Sequence, residues 1–153
     1  MLTSRLGWRP RVTIWSSRAG VLVVTGNLIT DAGRDLLADL LAGEAGVETA
    51  GITHVALGTG DAEPSGDDEQ LEDERYRREV ERVRDSTGRV TTSTVVPDLD
   101  ATDFTIREVG WFAGGTSDAD SGLLIARVLY ERDKSDDESL GIERVDDIEE
   151  VDA

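Results

Sequence analysis

Five oxygen-bearing side chains, Asp61, Glu63, Ser65, Glu69 and Glu72, fall at positions 1, 3, 5, 9 and 12 of a twelve-residue window with Gly66 at position 6. That is the spacing with which a calcium loop wraps its ion. The flanking chain suits it poorly: a strand-like run precedes the window where a helix is wanted, Pro64 stiffens position 4, and Asp68 takes a place better filled by an apolar residue. Among 33 acids such a match arises readily by chance. No metal is expected here, and calcium in this loop is the weaker alternative.

His54 is the single histidine and there is no cysteine, so zinc would lack ligands and a histidine base would lack a partner of its kind. In the middle of an apolar run His54 reads as structural. Gly58-Thr59-Gly60 has no third glycine at 63, where Glu63 stands, and no P-loop lysine follows. Its acidic neighbours would repel a phosphate, so it reads as a turn. No Gly-x-Ser-x-Gly elbow is present. A carboxylate pair of the glycosidase kind would lack a sugar platform, since aromatics make up 5% of the chain. No catalytic residue and no cofactor follow, and the chain does not read as an enzyme.

Charge restricts the partners. The formal net charge is −17, and the 16 basic residues are Lys134 and fifteen arginines. A phosphate backbone would be repelled, which argues against nucleic acid. Few lysines and many carboxylates suit a protein adapted to very high salt. There the Debye length is roughly 3 Å at about 1 M, and self-repulsion is screened. Residues 1–30 carry Arg5, Arg9, Arg11 and Arg18 and no acid, whereas residues 131–153 hold eleven acids and three bases. Basic front and acidic tail could dock between copies or pair within one subunit. Arg75, Arg77, Arg78, Arg82 and Arg84 form a second basic stripe, read as neutralising the protein's own acids. No apolar run approaches the roughly 20 residues of a membrane span, so a soluble chain without membrane insertion is expected.

The elements that hold these residues are mostly strands. Arg11–Trp15 alternates with period two and leads through a Ser-Ser-Arg-Ala-Gly turn into the β-branched run after Gly20, which predicts a hairpin preceded by a loose arm with Trp8 and Pro10. A helix is predicted from Asp31 to Leu41, capped by Thr30 and closed by Gly43, with Ala32, Leu36, Leu37, Leu40 and Leu41 on one face. Further strands are expected at Ile52–Leu57, Arg89–Val96, Phe104–Phe112 and Gly122–Tyr130; Tyr76–Arg84 reads as a strand in preference to a helix, which would put Leu71, Tyr76, Val80 and Val83 on one side and pair Glu74 with Arg78. Ser139–Val151 reads as an edge strand guarded by its acids. Leu36, Leu37 and Leu40 should pack on the sheet opposite Val55, Leu57, Ile106 and Val109. Arg107 should pair with Glu74, and Glu108 with Arg77 or Arg78. The fold class is α+β: one β-rich, sandwich-like domain with a single amphipathic helix. Residues 1–26 supply an arm and hairpin, and residues 27–151 the main body, as one folding unit.

Five short motifs stand in a recognisable order. Asn27-Leu28-Ile29-Thr30-Asp31-Ala32-Gly33 opens the leucine-rich helix, and Ile52 to Gly60 is a strand ending in Gly-Thr-Gly. Glu74, Tyr76 and Arg77 match a Leu-x-x-Glu-x-Tyr-Arg run. Ile106 to Phe112 reads Ile-Arg-Glu-Val-Gly-Trp-Phe, with Trp111 where leucine is usual, and Leu123 to Tyr130 contains Leu-Ile-Ala-Arg. Together they resemble the tail-collar, tail-fibre-attachment and baseplate-associated modules of tailed viruses. The resemblance implies a non-enzymatic virion subunit that self-assembles and contacts other virion proteins, with possible contact to the host cell surface once assembled in the host cytoplasm. With the charge profile it implies a virus of a halophilic archaeon. Alternatives are a capsid turret or decoration protein or, from a different class, a carbohydrate-active or calcium-binding adsorption module.

Residues 1–26 hold two of the three tryptophans beside arginines, the composition that interface cores favour. Trp8, Arg9, Arg11, Trp15 and Arg18 are therefore the expected interface, the arginines meeting a partner's carboxylates.

Overall fold

The computed structural model describes residues 4–24, 28–44, 46 and 50–151. Two five-stranded antiparallel sheets face each other. Their strands in chain order are β1 (Arg5–Ser16), β2 (Gly20–Val24), β3 (Leu28–Ile29), β4 (Ile52–Gly58), β5 (Glu74–Glu79), β6 (Glu81–Ser86), β7 (Arg89–Val96), β8 (Ile106–Ala113), β9 (Leu123–Arg132) and β10 (Leu140–Val151), and the helix α1 spans Asp31–Ala42. The first sheet runs β2-β1-β10-β7-β6 and the second β3-β9-β8-β4-β5. The α+β, sandwich-like reading holds.

Period-two alternation decides which side chains fill the space between the sheets. Val12 and Ile14, Val96, and Leu140 and Ile142 point inward from the first sheet. Val55, Leu57, Val109, Trp111 and Val128 meet them from the second. Alternate residues of the second sheet face away, and there Ala56, Phe112 and Leu124 are covered by Leu71 from the 59–73 loop. That sheet is therefore buried on both sides, which explains the nearly unbroken apolar runs of β4 and β8. Between the sheets, Arg144 donates through Nε and Nη2 to Asp146 at 2.8–3.0 Å and stacks 5.2 Å from the Trp111 ring centre.

The helix starts and stops as its caps dictate. Thr30 Oγ1 accepts from the Gly33 amide at 3.0 Å and donates to the Leu124 carbonyl at 2.5 Å, so one hydroxyl both caps α1 and ties it to β9. Gly43 closes the helix at φ 73°, a left-handed conformation that glycine takes without Cβ strain. The contact line differs from the one the leucine pattern predicts. Gly33 and Leu36 are the helix residues buried, and a Cβ on Gly33 would stand 2.8 Å from the Ile125 carbonyl oxygen. Close approach at Gly33 rotates the helix, leaving Leu37 38% and Leu41 92% exposed.

Other expectations are corrected by the sheet order. Arg5–Pro10 is no loose arm, because β1 pairs with β10 without interruption from Arg5↔Val151 to Ser16↔Leu140. For the same reason β10 is the central strand of its sheet and not an edge. The basic run around Tyr76–Arg84 is extended, as predicted, but splits at Val80: β5 belongs to one sheet and β6 to the other.

Candidate functional site

The Glu108 carboxylate organises the acidic loop. Glu108 sits on β8 with its side chain fully buried, accepting from the amides of Gly60 (3.0 Å), Glu72 (3.0 Å) and Asp73 (2.8 Å) and from Arg127 Nε at 2.8 Å. Arg127 also reaches Asp68 at 3.3 Å. The partners expected for Glu108 and Arg107 are not the ones found. Glu74 pairs with Arg77, and Arg107 with Glu131 at 3.6 Å. Glu108 and Arg127 lie on one face of neighbouring strands, whereas Arg77 stacks 4.4 Å over Phe112.

This arrangement answers the two loop motifs. The Gly60 amide, which a bound phosphate would need, is already given to a protein carboxylate, and a Cβ on Gly60 would meet Glu108 Oε1 at 2.7 Å. In the calcium-like window Asp61, Glu63, Ser65 and Glu69 are exposed. The Asp61 amide is bound by Glu72, and Ser65 by Asp67 and Asp68. Among the described residues no three acids or histidines converge as a metal site requires. His54 lies in β4 with Nδ1 2.9 Å from Thr53 Oγ1. Burial and then the Arg77 charge lower its pKa.

The five interface candidates divide between two surfaces. Trp8 turns toward the inner side, where its indole N–H donates to Asp146 at 2.7 Å. Trp15 faces outward, 40% exposed. Its ring lies across Gly141 of β10, where a Cβ would come within 2.0 Å of it. Val21, Trp15 and Val95 line up across four strands of this outer face through the pairs Trp15↔Val21, Trp15↔Gly141 and Gly141↔Val95, and all three are exposed. The arginines meet acids of their own chain: Arg9 with Glu149 at 3.1 Å, Arg11 with Asp147 at 3.6 Å and Arg18 with Asp137 at 2.6 Å. Basic front and acidic tail thus pair within the subunit, because their strands are neighbours.

One further surface escapes the sequence. Between α1 and the first sheet runs an apolar groove of about 650 Å³, walled by Leu36, Leu37 and Leu40 on the helix side and by Trp8, Val90 and Ile148 on the sheet side. Arg82, Arg84 and Arg89 also line it. The spacing of the helix leucines marks an apolar stripe, but only the rotation set at Gly33 divides it between core and groove.

The family model described as phage tail-collar fibre protein, N-terminal, matches residues 25–135. No curated protein matches, and no solved structure matches.

Proposed function

Since the chain belongs to the phage tail-collar fibre protein N-terminal family, and so has a structural role in a viral tail, we propose that it is a non-enzymatic subunit that builds or attaches a tail or baseplate fibre by self-assembly. The observation that carries this reading is the outer face of the first sheet. There Trp15, Val21 and Val95 form an apolar strip beside Arg18 and Arg11, on a chain of net charge −17. A solvent-facing apolar strip with a tryptophan in it marks a protein contact. The partners are other copies of the chain and further virion proteins, and the location is the virion tail. Arg9, Arg11, Trp15 and Arg18 are the interface residues proposed on this face, with Trp15 as the anchor; Trp8, turned inward to Asp146, lies apart from it. The net charge of −17 and the near absence of lysine support an origin in a virus of a halophilic archaeon.

Removing residues 1–26 would take away a strand that pairs along the whole length of β10, so point changes test the proposal better. Trp15→Ser with Arg18→Glu, measured by light scattering in molar salt, should reduce the mass of the assembly while leaving the thermal transition in place. A native-sized assembly in that variant would refute Trp15 as the anchor.

A further inference from the structure

We propose that the groove between α1 and the first sheet receives the Asp98-Leu99 turn of a second copy of the chain, a head-to-tail contact that rests on the self-assembly proposed above. Leu99 is an apolar side chain left 78% exposed, between Asp98 and Asp100. Among the described residues the Asp98 carboxylate has no hydrogen-bond or ion-pair partner. The turn is held rigid from below. Lys134 Nζ donates to the Asp98 carbonyl at 2.6 Å, the Asp100 amide donates to Pro97 O at 3.1 Å, and Tyr76 Oη donates to Asp100 at 2.7 Å. A preorganised apolar knob loses little freedom when it docks.

The groove presents the complementary features. Its walls are the leucines of α1 together with Trp8, Val90 and Ile148, and arginines line it. Arg89 is held by Asp147 at 2.6 Å and Arg84 by the Ser86 carbonyl at 3.0 Å. Arg82 has no acidic partner among the described residues. It therefore stands as an unpaired cation beside an apolar channel, while Asp98 is an unpaired anion beside an exposed leucine. Asp146 also lines the groove, but its carboxylate is taken up by the Trp8 indole and Arg144.

Position makes the two ends accessible to each other only between copies. The groove lies where β7 begins, at Arg89 and Val90, and the knob follows Val96, where β7 ends. At roughly 3.3 Å per residue the two are on the order of 20 Å apart along the strand. The contact is heterologous: repeated, it closes a ring or extends a stack, either of which suits a tail appendage.

The test is a charge exchange on the full chain at about 0.1 M salt, where the Debye length is roughly 10 Å, with mass read by sedimentation velocity. Arg82→Glu and Asp98→Arg should each weaken self-association by about tenfold or more. Mixing the two variants, or combining both changes in one chain, should restore it, because each altered knob then finds an altered groove. The chain has no cysteine, so Leu37→Cys mixed with Leu99→Cys should yield a disulfide-linked pair absent from either variant alone. Unaltered thermal transitions show that the variants fold. Failure of the mixture to reassociate, or absence of the mixed disulfide, overturns the proposal. Assembly lost in Trp15→Ser but retained in Asp98→Arg overturns it too, while leaving the outer-face reading in place.

Discussion

Glu108 and Arg127 form an ion pair of 2.8 Å in which neither side chain reaches solvent. The pair is a hub as well as a bridge, since the same carboxylate receives the amides of Gly60, Glu72 and Asp73 and so fastens both ends of the acidic loop to the sheet. Removing one partner of a buried pair leaves the other charged and dry, which costs about 3–5 kcal/mol. Glu108→Ala should therefore lower stability by that order. Hydrogen exchange should quicken first at the Gly60, Glu72 and Asp73 amides. Equal exchange there in the variant and the parent would show that the loop is held by other means.

Two adjacent leucines of α1 should differ sharply. Leu36 is buried in the core and Leu37 is 38% exposed. Leu36→Ala should cost about 2–5 kcal/mol, and Leu37→Ala under about 1 kcal/mol in the dissociated subunit. Urea unfolding of both variants at one salt concentration measures the difference, and equal losses would contradict the helix rotation described.

Acid should weaken the fold through Glu138. Burial pushes this carboxyl up, but hydrogen bonds from Arg132, Ser16 and the Ser135 amide, with the Arg132 charge, outweigh it and hold the pKa below its ordinary 4.5. A pKa lower in the folded state means that the unfolded chain binds more protons below 4.5. The stabilisation is present above that pH and is lost as pH falls through the folded value. Glu138→Gln should thus be less stable than the parent near neutral pH, with the gap narrowing steadily below pH 4.5. A gap independent of pH would dissociate Glu138 from acid unfolding.

Salt should stabilise the protein. With −17 on a small surface, self-repulsion acts in dilute buffer and is screened at about 1 M, where the Debye length is roughly 3 Å. The melting temperature should fall on dialysis from molar to low salt; one that stays level or rises would remove the halophilic reading.

The strands of this protein are legible in the sequence because period two is a local property. β7 lies on the predicted residues 89–96, and β4 and β8 begin and end within two residues of the predicted strands. The helix ends are legible for a similar reason, since a hydroxyl at Thr30 and a left-handed glycine at Gly43 act on amides and carbonyls a few residues away. The pairing of β1 with β10 was not legible, since nothing local in Leu140–Val151 distinguishes a central strand with half its residues polar from an edge. Only the neighbour on each side decides it. The mutual neutralisation of Arg9, Arg11 and Arg18 by the acidic tail follows from that adjacency and from nothing in the charges alone. Likewise, the apolar stripe of α1 was visible, but its division between core and groove depends on how closely Gly33 approaches the backbone of β9. The partner of Glu108 was hidden for the same physical reason. A buried charge takes whichever opposite charge the fold brings to its face of the sheet, and Arg127, nineteen positions away along the chain, arrives there only when β8 and β9 pair.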